Sequence, residues 1–121
     1  MVAMNNAGSE ITRARIAETE RLIRPFIRRT PLVRSDALSE FLGGDVWLKC
    51  ECEQDTGSFK LRGATAVLAL MDDAARARGV VAASAGNHGA GIAHAAARLG
   101  IPCTVYVPSV SPSAKRDRIA R

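Results

Sequence analysis

Val80-Val81-Ala82-Ala83-Ser84-Ala85-Gly86-Asn87-His88-Gly89 runs from apolar through small to polar and back to small within a short space. Gly79 precedes Val80–Ala83, an apolar run with the length and branching of a short strand. Residues 84–89 then bring small and polar side chains, the composition of a tight strand-to-helix turn. Asn87–Leu99 is rich in Ala and stops at Gly100, which reads as a helix with a glycine end. In open α/β sheets ligands bind beyond the carboxyl ends of the strands, here at residues 84–89. A helix opening near Asn87 points free N–H groups at that spot, where a carboxylate or phosphate would fit. A tight turn in which Asn87 merely caps the helix accounts equally well for the same residues.

The flanking chain supplies more units of the same kind. Residues 11–23 read as a helix with Ile16 and Ile23 on one face, limited by Pro25. Thr30-Pro31 leads into a short extended Leu32-Val33. Ser35 can cap a short helix carrying Leu38, Phe41 and Leu42, ended by Gly43-Gly44. Residues 46–50 read as a strand with Val46, Leu48 and Cys50 on one face. A polar loop follows, and Ser58 or Thr56 caps a helix whose apolar stripe is Leu61, Ala64, Leu68 and Met71. Residues 103–107 are strand again, and Ser111 caps a last helix with Pro112 at its first position. The alternation predicts an α/β fold: a partial, open, parallel sheet of three strands with flanking helices and right-handed crossovers. Residues 1–10 read as a loose leader. Residues 11–121 read as an incomplete N-terminal α/β portion of a larger catalytic region, because the last helix has no stop signal.

Composition narrows the function classes. At 121 residues the chain is one domain at most, and 47% hydrophobic content is that of a packed protein. A net charge of +5 comes from 17 basic and 12 acidic residues, with many of the Arg between Arg13 and Arg34. Aromatic residues are only 4% and are not interleaved with them, so nucleic acid is not an expected partner. The Arg-rich surface is a solvated face or an electropositive approach to an anionic ligand. Asn5, Asn6 and Glu10 stand where a signal peptide needs an apolar core, and no run approaches the roughly 18 apolar residues of a membrane span. The expectation is a cytoplasmic protein without a membrane partner. Cys50, Cys52 and Cys103 are odd in number and read as buried thiols of a reducing compartment rather than a metal cluster.

A second stretch answers the first: Thr56-Gly57-Ser58-Phe59-Lys60-Leu61-Arg62-Gly63-Ala64. It has a turn Gly, hydroxyls for a cap, and one Lys at the opening of a helix. That Lys is either a surface residue in a capped first turn or an amine that condenses with a carbonyl cofactor. The stretch is not a Walker A loop, because Gly57 sits too close to Lys60 and Leu61 stands where Ser or Thr is needed. His88 and His94 fall on different helical faces, so they do not form a metal pair. His88 reads as an orienting or capping residue and His94 as a satisfied, half-buried one.

Lys49-Cys50-Glu51, Gln54, residues 56–64 and Ala83-Ser84-Ala85-Gly86-Asn87-His88 together resemble the threonine/serine dehydratases of the tryptophan-synthase-β-like, fold type II, pyridoxal-phosphate enzymes. Thr30-Pro31-Leu32, Ser35 with Leu38-Ser39, and Val107-Pro108 match the same layout, so the resemblance runs from about Ile11 onward. It implies pyridoxal 5′-phosphate as cofactor and Lys60 as the catalytic Schiff-base lysine. It also implies Phe59 against the cofactor ring, Asn87 on the ring hydroxyl, and Ser84, Ala85, Gly86, Asn87 and His88 around the substrate carboxylate. The implied reaction converts L-threonine or L-serine to 2-oxobutanoate or pyruvate and ammonia, with no metal in the chemistry. The implied full-length enzyme acts on a small amino acid and is a homo-oligomer.

Three departures accompany the match. Racemase-like members carry a second Ser as acid/base where this chain has Ala85, which favours elimination over racemisation. After His88 many relatives have Gly or Ala and then Gln, whereas here the run is Gly89-Ala90-Gly91. The family's glycine-rich phosphate loop and its pyridine-nitrogen partner lie well downstream of these residues. Two alternatives therefore stand beside the dehydratase: another fold type II β-elimination or β-replacement enzyme, and a non-catalytic truncated fragment.

Overall fold

A computed structural model describes residues 10–120. The expected leader, apart from Glu10, lies outside the described residues. Helix α1 is Arg13–Ile23, and Thr12 sets its start by accepting a hydrogen bond from the Arg15 amide at 3.2 Å. A 3₁₀ turn at Arg24–Phe26, with Pro25 inside it, ends the helical run.

Strand β1, Leu32–Arg34, is followed by helix α2, Asp36–Leu42, and strand β2, Trp47–Lys49. Ser35 caps α2 by accepting from the Leu38 amide, and Gly43 closes it in the left-handed region at φ 68. The strand over residues 46–50 was expected in a parallel sheet. Instead β2 pairs antiparallel with β1, placing Leu32 opposite Lys49 and Arg34 opposite Trp47. The cause is local. The Ser35 amide donates to the Val46 carbonyl at 2.9 Å, and the Val46 amide donates to Ser39 Oγ at 3.0 Å. Those bonds return the chain at the end where β1 leaves, so the second strand runs back along the first.

Helix α3 is Lys60–Ala69, helix α4 is Asp73–Arg78, and strand β3 is Val80–Ala83. Helix α5, Asn87–Leu99, crosses over to strand β4, Cys103–Tyr106, which pairs parallel with β3 in register Val80 to Cys103. This is the expected strand–helix–strand unit, with Gly100 closing α5 at φ 67. Helix α6, Ser113–Ala120, begins after Pro112, whose carbonyl accepts from the Lys115 and Arg116 amides. The expected single three-stranded sheet is therefore two two-stranded ladders, β1–β2 and β3–β4, within an open α/β fold.

The core lies where α3 meets α5. Leu61, Ala64 and Leu68 of α3 pack on Ala95 and Ala96 of α5 and on Ile101, with Met71, Val80, Ile92 and Cys103 partly buried around them. Small side chains on α5 let the two helices approach closely. The outer face of the parallel ladder is open, with Val81 73% and Tyr106 65% exposed. Cys52 does not share a buried strand face with Cys50: β2 ends at Lys49, and Cys52 is exposed in a 3₁₀ turn at Glu51–Glu53. Among the described residues no helix is long and apolar enough to cross a membrane.

Candidate active site

The loop before α3 turns at Gly57, whose amide donates to the Gln54 carbonyl at 2.6 Å and whose φ is 64. Thr56 and Ser58 are both buried, but neither caps α3 as expected. Their Oγ atoms have no hydrogen-bond partner, and the N-cap position is Phe59, which makes no side-chain cap bond. The hydroxyls turn inward instead of toward the free amides of the helix.

Other residues hold this loop. Arg62 donates from Nε to Glu51 Oε2 at 2.9 Å and from Nη2 to Glu51 Oε1 at 2.7 Å, a bidentate pair. Thr30 Oγ1 donates to Glu51 Oε1 at 2.5 Å. Gln54 accepts from the Arg28 amide at 2.8 Å and donates to the Arg28 carbonyl at 3.0 Å. Lys49 Nζ donates to the Thr30 carbonyl at 2.6 Å. The hydrogen bonds from Arg62, helped by Thr30 and opposed by burial, hold the Glu51 carboxyl down at about 2. Lys49, Glu51, Gln54 and Arg62 belong to the matched motif, yet the sequence assigned them no role. Their partners at Arg28 and Thr30 are distant in the chain, so spacing alone could not reveal them.

Lys60 opens α3 and is exposed, with Nζ 5.0 Å from the centroid of the Phe59 ring. A cleft of about 360 Å³ between α3 and α5 is lined by Phe59, Lys60, Gly63, Val67, His88 and Ile92, among others. The structure thus brings Lys60, Phe59 and His88 to one cleft. Ser84, Ala85, Gly86 and Asn87 are not among its lining residues and lie just before His88, at the start of α5.

That start is built without an Asn cap. Gly86 is the N-cap, Asn87 is the first helical residue, and Ser84 Oγ accepts from the Gly86 amide at 3.2 Å. The Ala90 amide donates to the Gly86 carbonyl, so the amides of Asn87, His88 and Gly89 precede the first intrahelical bond. They form the positive end of a helix long enough to attract an anion.

Two further hollows differ in character. A groove of about 490 Å³ between α1 and α3 is lined by Ile11, Ile16 and Ile23, with Thr19, Glu20 and Arg62 among its polar members. A cleft between the Thr56-Gly57 loop, α5 and α6 contains His94 and Arg118, and Arg118 donates to the Thr56 carbonyl. His94 was expected to be satisfied. It is half-buried, but its Nε2 is buried without a partner.

Residues 23–121 match the family described as pyridoxal-phosphate dependent enzyme. The chain belongs to that family. The chain is similar to β-hydroxyaspartate dehydratase of Paracoccus denitrificans, 46% identical over 99 residues. That match covers 82% of this chain and 31% of the relative. L-threonine ammonia-lyase of Thermotoga maritima is 48% identical over 105 residues, covering 87% of this chain and 26% of the relative. The crystal structure of serine racemase from Dictyostelium discoideum superposes with a TM-score of 0.84 at 35% identity, covering 91% of this chain and 36% of that one. The chain therefore spans about a third or less of the length of the curated relatives it matches. It is a fold type II member related to the threonine/serine dehydratases and ammonia-lyases, with a pyridoxal-phosphate binding fold.

The residues present fit this cofactor. An aldehyde-bearing aromatic ring needs an amine, an apolar wall and a flat partner. The cleft offers Lys60, the α3 and α5 side chains, and Phe59.

Proposed function

We propose that the whole protein dehydrates and deaminates a small β-hydroxy-α-amino acid, L-threonine or L-serine, using pyridoxal 5′-phosphate held by Lys60. The observation that carries this reading is one amine, Lys60, at the mouth of a cleft shared with Phe59 and His88. When bound, the cofactor supplies an electron sink for bonds broken at the substrate Cα. Lys60 takes the proton from that carbon. Phe59 would pack against the ring, and Asn87 would hydrogen-bond it. Ser84, Ala85, Gly86, Asn87 and His88 surround the substrate carboxylate at the positive end of α5, with the free amides of Asn87 and His88 as donors and the Gly86 amide engaged on Ser84 Oγ. The products from L-threonine are 2-oxobutanoate and ammonia, and those from L-serine are pyruvate and ammonia.

A second reading keeps the chemistry and changes the side chain. The 46% identity to a β-hydroxyaspartate dehydratase favours a β-hydroxy diacid as substrate. The test is ammonia release by the full-length protein, loaded with pyridoxal phosphate, from L-threonine, L-serine and β-hydroxyaspartate under the same conditions. Faster turnover of L-threonine or L-serine supports the first reading. Faster turnover of β-hydroxyaspartate moves the assignment to the diacid, and no release from any of them rejects both.

A further inference from the structure

We infer that Glu51 and Arg62 are positioning residues that fix the bearing of Lys60; the inference rests on the role proposed for Lys60 above. The opening of α3 has no side-chain cap, and the two hydroxyls nearest to it in sequence, Thr56 and Ser58, make no hydrogen bond. Inside the segment that presents Lys60 the Gly57 amide donates to the Gln54 carbonyl and Arg118 donates to the Thr56 carbonyl, but no side chain caps the helix opening itself. The segment is also held at its two ends. Glu51 begins it, Arg62 follows Lys60 in the first turn of α3, and the bidentate pair between them closes the loop.

The chemistry of the clasp suits positioning. A guanidinium fork on a carboxylate fixes angle as well as distance, which an ammonium does not. Thr30 Oγ1 takes a further position on the same carboxylate, so Glu51 is tied to α3 and to the segment before β1 at once. The side chains of Arg62 and Glu51 are only 29% and 15% exposed, so salt screens the pair weakly. From the opposite side, the α5 backbone at Gly91 abuts the Lys60 carbonyl, leaving the helix opening little room to tilt. Loosening the clasp changes where the Lys60 amine points, even when the fold survives.

The test uses the full-length protein with pyridoxal phosphate. Arg62→Lys keeps the charge and removes the fork. Arg34→Lys, at an exposed pair with Asp36 and Asp45 on the β1–β2 hairpin, is the control. The readouts are the visible circular dichroism per bound cofactor, the rate at which borohydride traps the cofactor on Lys60, and far-ultraviolet circular dichroism as a check of folding. We expect R62K to remain folded, with a dichroic band weakened about twofold or more and trapping slowed about tenfold. We expect R34K to match the parent in both. Thr30→Val removes the hydroxyl that donates to Glu51 Oε1 and accepts from Arg62 Nη2 at 3.4 Å, leaves the bidentate pair in place, and should move both readouts the same way by less, so it decides the matter if R62K does not fold. An unchanged band and trapping rate in R62K, or in T30V where R62K is unfolded, overturns the inference, as does an equal loss in R34K. Absence of cofactor on Lys60 in the parent overturns instead the function proposed above.

Discussion

A Cβ added at Gly91 would lie 3.2 Å from the carbonyl carbon of Lys60 and 3.3 Å from its oxygen. Helix α5 thus rests its backbone on the opening of α3. The loop at residues 84–88 and the Lys60 amine are set relative to each other by that contact. The neighbouring atoms are main chain, so they yield only if the helix opening shifts. We expect Gly91→Ala to destabilise the protein by about 1 kcal/mol and to slow trapping of the cofactor on Lys60 several-fold. Urea unfolding and borohydride trapping measure the two effects. A Gly91→Ala protein that traps at the parent rate would show that the contact does not set the amine.

Gly89 is under a harder constraint. A Cβ there would overlap the Ser84 carbonyl oxygen, which belongs to the turn itself. Gly44 has nothing within 4 Å and serves as the control. We expect the melting temperature to fall in the order Gly89→Ala, Gly91→Ala, Gly44→Ala, with the first losing about 2–3 kcal/mol. A Gly89→Ala protein as stable as Gly44→Ala would contradict the close turn between β3 and α5.

Acid should reveal the Glu51 clasp. Its folded-state value of about 2 lies below the ordinary 4.5, so the stabilisation is complete above 4.5 and is lost as pH falls toward about 2. Allowing for partial exposure, it amounts to roughly 2 kcal/mol at neutral pH. We expect Glu51→Gln to be less stable than the parent at pH 7 and nearly equal to it at the acid end of that window. Urea midpoints across the range read this directly. Equal pH slopes in the two proteins would rule out Glu51 as a main source.

The parts of the fold legible in the sequence were those set by neighbours in the chain. The apolar run at Val80, the glycine stop at Gly100 and the stripe through Leu61, Ala64 and Leu68 gave β3, α5 and the buried face of α3. Helix α4 went unread because Ala and Arg give it no apolar stripe. Its signals lie at its ends: Asp72, whose side chain accepts from the Ala75 amide, Asp73 in the first turn, Arg76 and Arg78 in the last, and Gly79 after it. The antiparallel pairing of β2 with β1 depends on Ser35 and Ser39 reaching Val46, which no periodicity displays. At the site, the motif drew attention to Lys60 and the segment around it. The clasp through Arg28, Thr30 and Glu51 is a product of tertiary contact and could not be read from spacing.

Stereochemistry offers a separate check. On the function proposed above, Ala85 stands where a racemase would place a hydroxyl acid/base, and its methyl group has no proton to deliver. We expect the full-length protein to release pyruvate from L-serine without accumulating D-serine, and Ala85→Ser to raise D-serine formation. Chiral chromatography of the residual serine measures both. D-serine appearing as fast as pyruvate in the parent would defeat the one-base argument.

The 121-residue chain on its own should associate with itself. Val81 and Tyr106 on the open face of the parallel ladder, and Phe41, Leu42 and Trp47 around the hairpin, are largely exposed. We expect size-exclusion chromatography to show aggregates or a self-associated species, and the chain alone to release little or no ammonia from L-threonine. A monodisperse monomer turning over L-threonine at an ordinary enzymatic rate would contradict this.

Lys60 as the amine that takes the cofactor can be tested without reference to turnover. The full-length protein is mixed with pyridoxal phosphate, reduced with borohydride, digested, and mapped by mass spectrometry. Within these residues the competing amines are Lys49, whose Nζ is engaged on the Thr30 carbonyl, and Lys115 on α6. The expected result is a pyridoxyl group on Lys60, lost in Lys60→Ala. A label on Lys49 or Lys115 with Lys60 untouched would contradict the assignment.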